Sequence, residues 1–247
     1  MAEKQRILGV VPARLASTRL PRKVLREIAG EPMLAWVYRA ARACPRLDEV
    51  LIATDSDEVM EFAHSRSFPA MFTPAGCASG SDRVYAVAQL VPADIYVNIQ
   101  GDEPMLRPEH LDALLKLMER PEVEVATIST PCAPGHIQDP NAVKVVTAAN
   151  GRALYFSRAA IPYDRDKTGN VPFEKHLGIY AYRKAALDRF PTLPSRRLEQ
   201  IEKLEQLRFL ENAIDIYVAS TPYDTIGVDT EEDRLAVEKL LLARQLK

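Results

Sequence analysis

The chain has 247 residues, 47% of them hydrophobic and 27% charged, and a net charge of −2, the profile of an ordinary soluble globular protein. Near-neutral charge argues against a nucleic-acid binder. No signal peptide and no apolar run near about 18 residues is present, which argues against a membrane or secreted protein and for the cytoplasm.

The first strand is the apolar run Ile7 to Val11, flanked by charge. Pro12 is expected to stop it, because proline has no N–H to give a ladder. A loop of small and basic residues follows, with Arg14, Ser17, Thr18, Arg19, Arg22 and Lys23, and Leu20-Pro21 makes a turn within it. Pro32 suits the first turn of a helix whose core face is Met33, Leu34, Val37 and Ala41. Val50 to Thr54 reads as the second strand, and Asp55 as the cap of the next helix, with Glu58 completing a capping box. Ala70 to Phe72 reads as a third strand. Ser79-Gly80-Ser81-Asp82-Arg83 then opens a helix with Val84, Val87, Ala88 and Val91 inward; its hydroxyls and free amides serve either a ligand or a plain N-cap. Asp94 to Ile99 is the clearest central strand and runs into Gln100-Gly101-Asp102-Glu103-Pro104. Pro108 starts a helix with Leu111, Leu114, Leu115 and Met118 inward. This alternation is a right-handed, doubly wound α/β pattern.

From residue 123 the rhythm changes. Residues 123–130 read as a strand. Residues 142–147 and 153–157 read as a hairpin, joined by Asn150-Gly151 in a type I′ turn. Residues 159–175 read as a mobile polar loop, 176–183 as a strand, Leu198 to Leu210 as one amphipathic helix, and Ile214 to Ala219 as a strand. Thr230 and Asp233 cap a last helix.

The chemistry follows from the first loop. Basic and small residues at the carboxyl end of the first strand of an open α/β sheet suit a polyphosphate. Neither a P-loop nor a Rossmann G-x-G-x-x-G is present. Carboxylates at other strand ends, Asp102 and Asp229, are candidates for Mg²⁺, an ion bound through one or two carboxylates, phosphates and water. Asp229 read by itself is a helix cap before it is a metal ligand. The three cysteines, Cys44, Cys77 and Cys132, form no C-x-x-C and read as reduced structural residues. The four histidines show no metal-ligand spacing, and no nucleophile–base order stands out.

The stretches 12–23, 53–59, 79–83, 97–105, 140–146, 153–166, 176–183, 204–208 and 227–233 together resemble the 3-deoxy-manno-octulosonate (Kdo) cytidylyltransferase family over nearly the whole chain. The resemblance implies a glycosyltransferase-A-like doubly wound mixed sheet with a small hairpin/loop sub-domain. It implies a single nucleotidyltransferase domain over 1–247, with 140–212 as the sugar-binding and dimerisation region, and a homodimer. It further implies transfer of CMP from CTP to the sugar acid Kdo, with pyrophosphate released, for lipopolysaccharide synthesis. By the same resemblance Arg14, Lys23 and Asp102 are catalytic. Arg14, Ser17, Lys23, Ser79, Arg83 and Gln100 bind the nucleotide. Gln100, Arg158, His176, Tyr180 and Gln206 bind the sugar, and Asp102 and Asp229 hold Mg²⁺. On the residues themselves, Arg158 can fork onto a carboxylate, and His176 and Tyr180, four apart on a strand, share a face. Two features depart from the family: Arg22 stands where glycine is usual, and the loop 164–175 is shorter than in some relatives. They leave open an 8-amino form of Kdo as substrate; a related cytidylyltransferase for sialic acid is a second enzyme reading, against which residues 19–23 and 176–183 favour Kdo. A non-catalytic nucleotide-sugar sensor is the alternative of another class; it would have lost the two acidic residues, and both are present.

Overall fold

The computed structural model describes residues 4–15, 19–77 and 79–245. It divides into two compact units, Met1–Leu111 with Thr225–Lys247, and Asp112–Asp224. The expected sugar-binding stretch, 140–212, falls inside the second.

The first unit contains β1 (Ile7–Ala13), the two-residue strands β2 (Glu27–Ile28) and β3 (Glu31–Pro32), and α1 (Met33–Arg42). It continues with β4 (Glu49–Thr54), α2 (Asp57–Ser65), β5 (Ala70–Phe72), α3 (Gly80–Ala88), β6 (Ile95–Asn98) and the start of α4 (Pro108–Leu117). β1 pairs in parallel with β4 and β6, and β4 with β5. The order is therefore β5-β4-β1-β6, doubly wound as the pattern predicts. The chain leaves β1 in one direction and returns to its other side, so the carboxyl ends of β1 and β6 form the switch point where such sheets bind ligands. The predicted core faces hold: Met33, Leu34, Val37 and Ala41 are buried on α1, and Leu111, Leu114, Leu115 and Met118 on and just past α4.

Three local readings differ from the sequence. Pro12 lies inside β1. The Ile99 N–H donates to the Val10 carbonyl at 2.9 Å, so Val10 turns its backbone toward β6, and the period of two turns Pro12 the same way. β6 pairs no further than Val10↔Asn98, so the missing proline N–H falls where no partner strand needs it. Asp55 does not cap α2; Ser56 does, accepting from the Val59 N–H, while the Asp55 carboxylate is drawn to the buried Arg83 guanidinium at 2.9 Å. α3 ends at Ala88, leaving Val91 beyond it.

The second unit contains β7 (Val125–Pro131), β8 (Lys144–Thr147), β9 (Ala153–Ser157), β10 (Glu174–Arg183), α5 (Lys184–Arg189), α6 (Arg197–Glu202), α7 (Leu207–Glu211) and β11 (Ile216–Ser220). β7 lies between antiparallel β10 and parallel β11, and β8 pairs antiparallel with both β10 and β9. The β8–β9 hairpin forms as predicted, but its turn is not type I′. The Gly151 N–H donates to the Ala148 carbonyl, and Gly151 supplies the left-handed residue at φ +84° without Asn150 adopting positive φ, a type I turn closed by a glycine bulge. The single helix expected over Leu198–Leu210 is two. It breaks at Lys203, φ +53°, because the Arg158 guanidinium takes the terminal carbonyls of Glu202 and Lys203 and so caps α6.

The last segment belongs to the first unit and carries α8 (Glu231–Gln245). The Asp233 carboxylate accepts from the Thr230 N–H, and the Thr230 hydroxyl from the Asp233 N–H, the predicted cap. Val228, Val237 and Leu241 share a buried cluster with Leu20, Ile28 and Met33.

Candidate functional site

The site of the first unit is built at the ends of β1 and β6. Their following turns come close because residue 101 is glycine: a Cβ there would lie 2.6 Å from the Pro12 carbonyl oxygen, nearer than any side chain permits. Gly101 thus sets how near Asp102 comes to the basic loop. Lys23 opens a single helical turn, Lys23–Leu25, and is preceded by Arg22 at φ +57°. That is the left-handed backbone glycine adopts freely and other residues adopt at roughly 1–2 kcal/mol, which gives a physical reason for the glycine usual at this position. Arg22 is ion-paired with Glu58. Leu20 anchors the loop in the same apolar cluster that holds Val228, and the Val228 N–H donates to the Asp102 carbonyl at 2.9 Å. One small core therefore positions Lys23, Asp102 and Asp229 together.

The result is a compact charge cluster. The Lys23 ammonium lies 2.6 Å from Asp102 Oδ2 and 2.9 Å from Asp229 Oδ1. Arg19 Nη2 lies 2.8 Å from the other Asp229 oxygen. Burial works to lower the Lys23 pKa, but the charges and hydrogen bonds of Asp102 and Asp229 outweigh it and hold the ammonium above its ordinary value. Burial likewise works to raise Asp229, and Lys23 and then Arg19 outweigh it, leaving the carboxyl below its usual range. A cleft of about 340 Å³ opens over this cluster, lined also by Pro12, Arg14, Val24, Gly80, Gln100 and Gly101. A larger hollow of about 520 Å³ is lined by Pro21, Arg22, Leu25, Arg26, Glu27, Glu231 and Arg234; of its two acids, Glu231 is paired with Arg234.

The donor set suits a hard divalent cation. Two carboxylates converge on one point, and a cationic group already sits there. Among the described residues no three His, Cys, Asp or Glu side chains converge; an ion held by this pair would complete its shell with substrate oxygens and water.

The sequence-derived residues divide clearly. Arg14, Lys23, Gln100, Asp102 and Asp229 are brought to one cleft. Ser17 lies outside the described residues. Arg14 also donates to the Cys77 carbonyl. Ser79 resolves as a cap: its hydroxyl accepts from the Asp82 N–H in a capping box, while its neighbour Gly80 lines the cleft. Arg83 is fully buried, bound to Asp55 at 2.9 Å and to the Thr73 hydroxyl, and lines no part of the cleft. Arg19 joins them in the cleft; the sequence places it in the basic loop, but nothing there singles it out from the other cations.

In the second unit, Arg158 does not present a free fork. Its guanidinium donates to the carbonyls of Pro140, Glu202 and Lys203, so its role there is to hold backbone. His176 and Tyr180 share a face, their rings 5.4 Å apart, although β10 bulges between Leu177 and Tyr180. The alternate residues Leu177, Ile179 and Ala181 are buried too, so the strand is covered on both sides. His176 Nε2 lies 3.0 Å from the Thr127 hydroxyl, and burial lowers its pKa to about 3; it is a neutral hydrogen-bonding ring. Burial pushes the Tyr180 phenol well above its ordinary value. Gln206 stands at the N-cap of α7, 7% exposed.

Comparisons with known proteins bear on this geometry. The family described as cytidylyltransferase matches residues 8–216. The chain is 70% identical to a 3-deoxy-manno-octulosonate cytidylyltransferase of Acidobacterium capsulatum over 239 residues, 97% of this chain and 98% of that one. It is 58% identical to one of Koribacter versatilis over 237 residues, 96% of this chain and 90% of that one. The solved structure of CMP:2-keto-3-deoxy-manno-octonic acid synthetase complexed with CTP matches with a TM-score of 0.93 at 39% identity, over 97% of this chain and 99% of that one. Identity and backbone agree over nearly the full length of each relative: the chain belongs to the 3-deoxy-manno-octulosonate cytidylyltransferase family.

Proposed function

We propose that this protein transfers CMP from CTP to 3-deoxy-D-manno-octulosonate, giving CMP-Kdo and pyrophosphate. The observation that carries the reading is the convergence of Asp102 and Asp229 on the Lys23 ammonium at the switch point of a parallel sheet. The anomeric hydroxyl of the sugar acid attacks the α-phosphorus. The new O–P bond forms as the bond to pyrophosphate breaks in line, and the hydroxyl proton is released. Such a transfer needs positioning and charge neutralisation rather than a covalent nucleophile. Arg14, Arg19 and Lys23 supply positive charge for the triphosphate, and the small residues Gly80 and Gly101 let it approach the backbone. Asp102 and Asp229 would hold Mg²⁺, which supplies neutralisation of charge on the phosphates and the leaving group. In the second unit Tyr180, His176 and Gln206 are the groups we assign to the sugar hydroxyls, with His176 acting in its neutral form.

A non-catalytic sensor has no use for two carboxylates poised with three cations, so the assembled cluster favours the enzyme. The reading carries with it a homodimer and a cytoplasmic location, as the resemblance implies. The test is pyrophosphate release with CTP, Mg²⁺ and a panel of Kdo, 8-amino-Kdo and a sialic acid. Turnover with Kdo exceeding that with the other two is expected. Preference for either of the others, or no release with any, would overturn it.

A further inference from the structure

The charges around Asp102 and Asp229 are nearly balanced before any substrate arrives. Asp102 is held by Lys23, and Asp229 by both Lys23 and Arg19. Arg14 adds a third cation to the cleft. Counted together, three positive and two negative groups face this space, so it attracts an anion before a cation. The Lys23 side chain is 13% exposed, and its ammonium touches one oxygen of each carboxylate. A divalent ion approaching the pair meets a like charge at contact distance.

We propose that Lys23 is an internal competitor of the metal, and that this competition makes nucleotide binding come first. The inference rests on assigning Asp102 and Asp229 to Mg²⁺ and adds what that assignment lacks, an order of events. A triphosphate entering the cleft offers Lys23 new anionic partners. The ammonium shifts toward them, and the two carboxylates are freed for the metal. Lys23 is charged in both positions; only its partners change. The coupling is reciprocal by thermodynamic necessity, so metal also tightens nucleotide.

The test reads metal binding, not turnover. Mn²⁺ is titrated into the full-length protein without nucleotide, and then with saturating CTP and no sugar acid, following the free-ion paramagnetic resonance signal against protein-free blanks. The wild type should bind Mn²⁺ at least about tenfold more tightly with CTP than without it. Lys23→Ala should bind Mn²⁺ without CTP at least about tenfold more tightly than the wild type, and its enhancement by CTP should be smaller than the wild type's, leaving the part that the phosphate oxygens contribute. Lys23→Gln, of similar length, serves if the alanine variant fails to fold by circular dichroism. Lys23→Arg keeps the charge and should behave as the wild type. If folded Lys23→Ala and Lys23→Gln show wild-type Mn²⁺ affinity without CTP, while Asp102→Asn abolishes binding with CTP, the competition is refuted and the metal assignment stands. If Asp102→Asn leaves Mn²⁺ binding with CTP unchanged, the metal assignment fails and the competition with it.

Discussion

Two lysines, one in each unit, are both withdrawn from water and are held in opposite ways. Lys23 lies at an open cleft against two carboxylates. Lys144, fully buried on β8, donates to three backbone carbonyls, those of Asp139, Ala142 and Arg158. Burial lowers the pKa of Lys144, because carbonyl dipoles do not replace a full counter-charge. At Lys23 the carboxylates reverse the same penalty. The partners also differ in what they can do next. Carboxylates can exchange one cation for another. Carbonyls of a folded loop cannot leave, so Lys144 ties residues 139–142 to the end of β9. One lysine serves chemistry and the other architecture, and each can be broken separately.

The largest expected effect is on the chemical side. Asp102→Asn keeps shape and removes charge, and should lower kcat/KM by about 10³-fold with the melting temperature little changed. Near-normal turnover at saturating Mg²⁺ would contradict the site. Lys144→Met is the counterpart: it removes the ammonium donor from the Ala142 and Arg158 carbonyls, while Asp139 keeps the Ala142 N–H, and should lower unfolding free energy by about 3 kcal/mol in urea titrations. A stability within error of the wild type would show that the carbonyls find other donors. Lys23→Ala should cost about 2–4 kcal/mol of transition-state stabilisation, read from kcat/KM.

One part of the pH dependence of stability should come from the second unit. His176 has a folded pKa of about 3 against an ordinary 6.5. Its neutral burial therefore stabilises fully above the unfolded value, and that contribution is lost as pH falls from about 6.5 toward 3, where the unfolded chain takes up a proton and the folded one does not. His176→Gln should flatten the fall of unfolding free energy over that window; an unchanged slope would place the titrating group elsewhere. The smallest effect is expected for Arg22→Gly, which relieves a left-handed backbone and removes an exposed ion pair with Glu58. The two nearly cancel, leaving stability within about 1 kcal/mol. If its kcat/KM falls as far as that of Lys23→Ala, Arg22 outranks the role given to it.

The first unit was legible because its signals are local and periodic. Apolar runs gave β1, β4, β5 and β6, and helical spacing gave the buried faces of α1 and α4. Its site was legible in type, since cations and carboxylates at strand ends have few other uses in such numbers. What could not be read was which cation touches which acid. The Lys23–Asp229 pair depends on a core shared by Leu20 and Val228, and no spacing encodes that. In the second unit the strands were visible but the roles of polar residues were not. Arg158 reads as a carboxylate fork from its type, yet three carbonyls from distant loops claim it. Asp55 reads as a cap from its position, yet a buried arginine outcompetes the backbone for it. Long-range polar partners override local rules wherever a buried charge must be satisfied.

The discontinuity of the first unit bears on how the protein is made. Lys23 and Asp229 are 206 residues apart. At ribosomal rates of roughly 5–20 residues per second, roughly 10–40 s separate their synthesis. Throughout that interval the nascent chain holds Lys23, and later Asp102, without Asp229. Leu20, Ile28 and Met33 likewise wait for Val228, Val237 and Leu241 to complete their cluster. All of Asp112–Asp224 must emerge before the first unit can close. A chain stalled before residue 225 therefore carries the parallel strands of the first unit without Asp229, so catalytic competence waits for the segment that begins at Thr225.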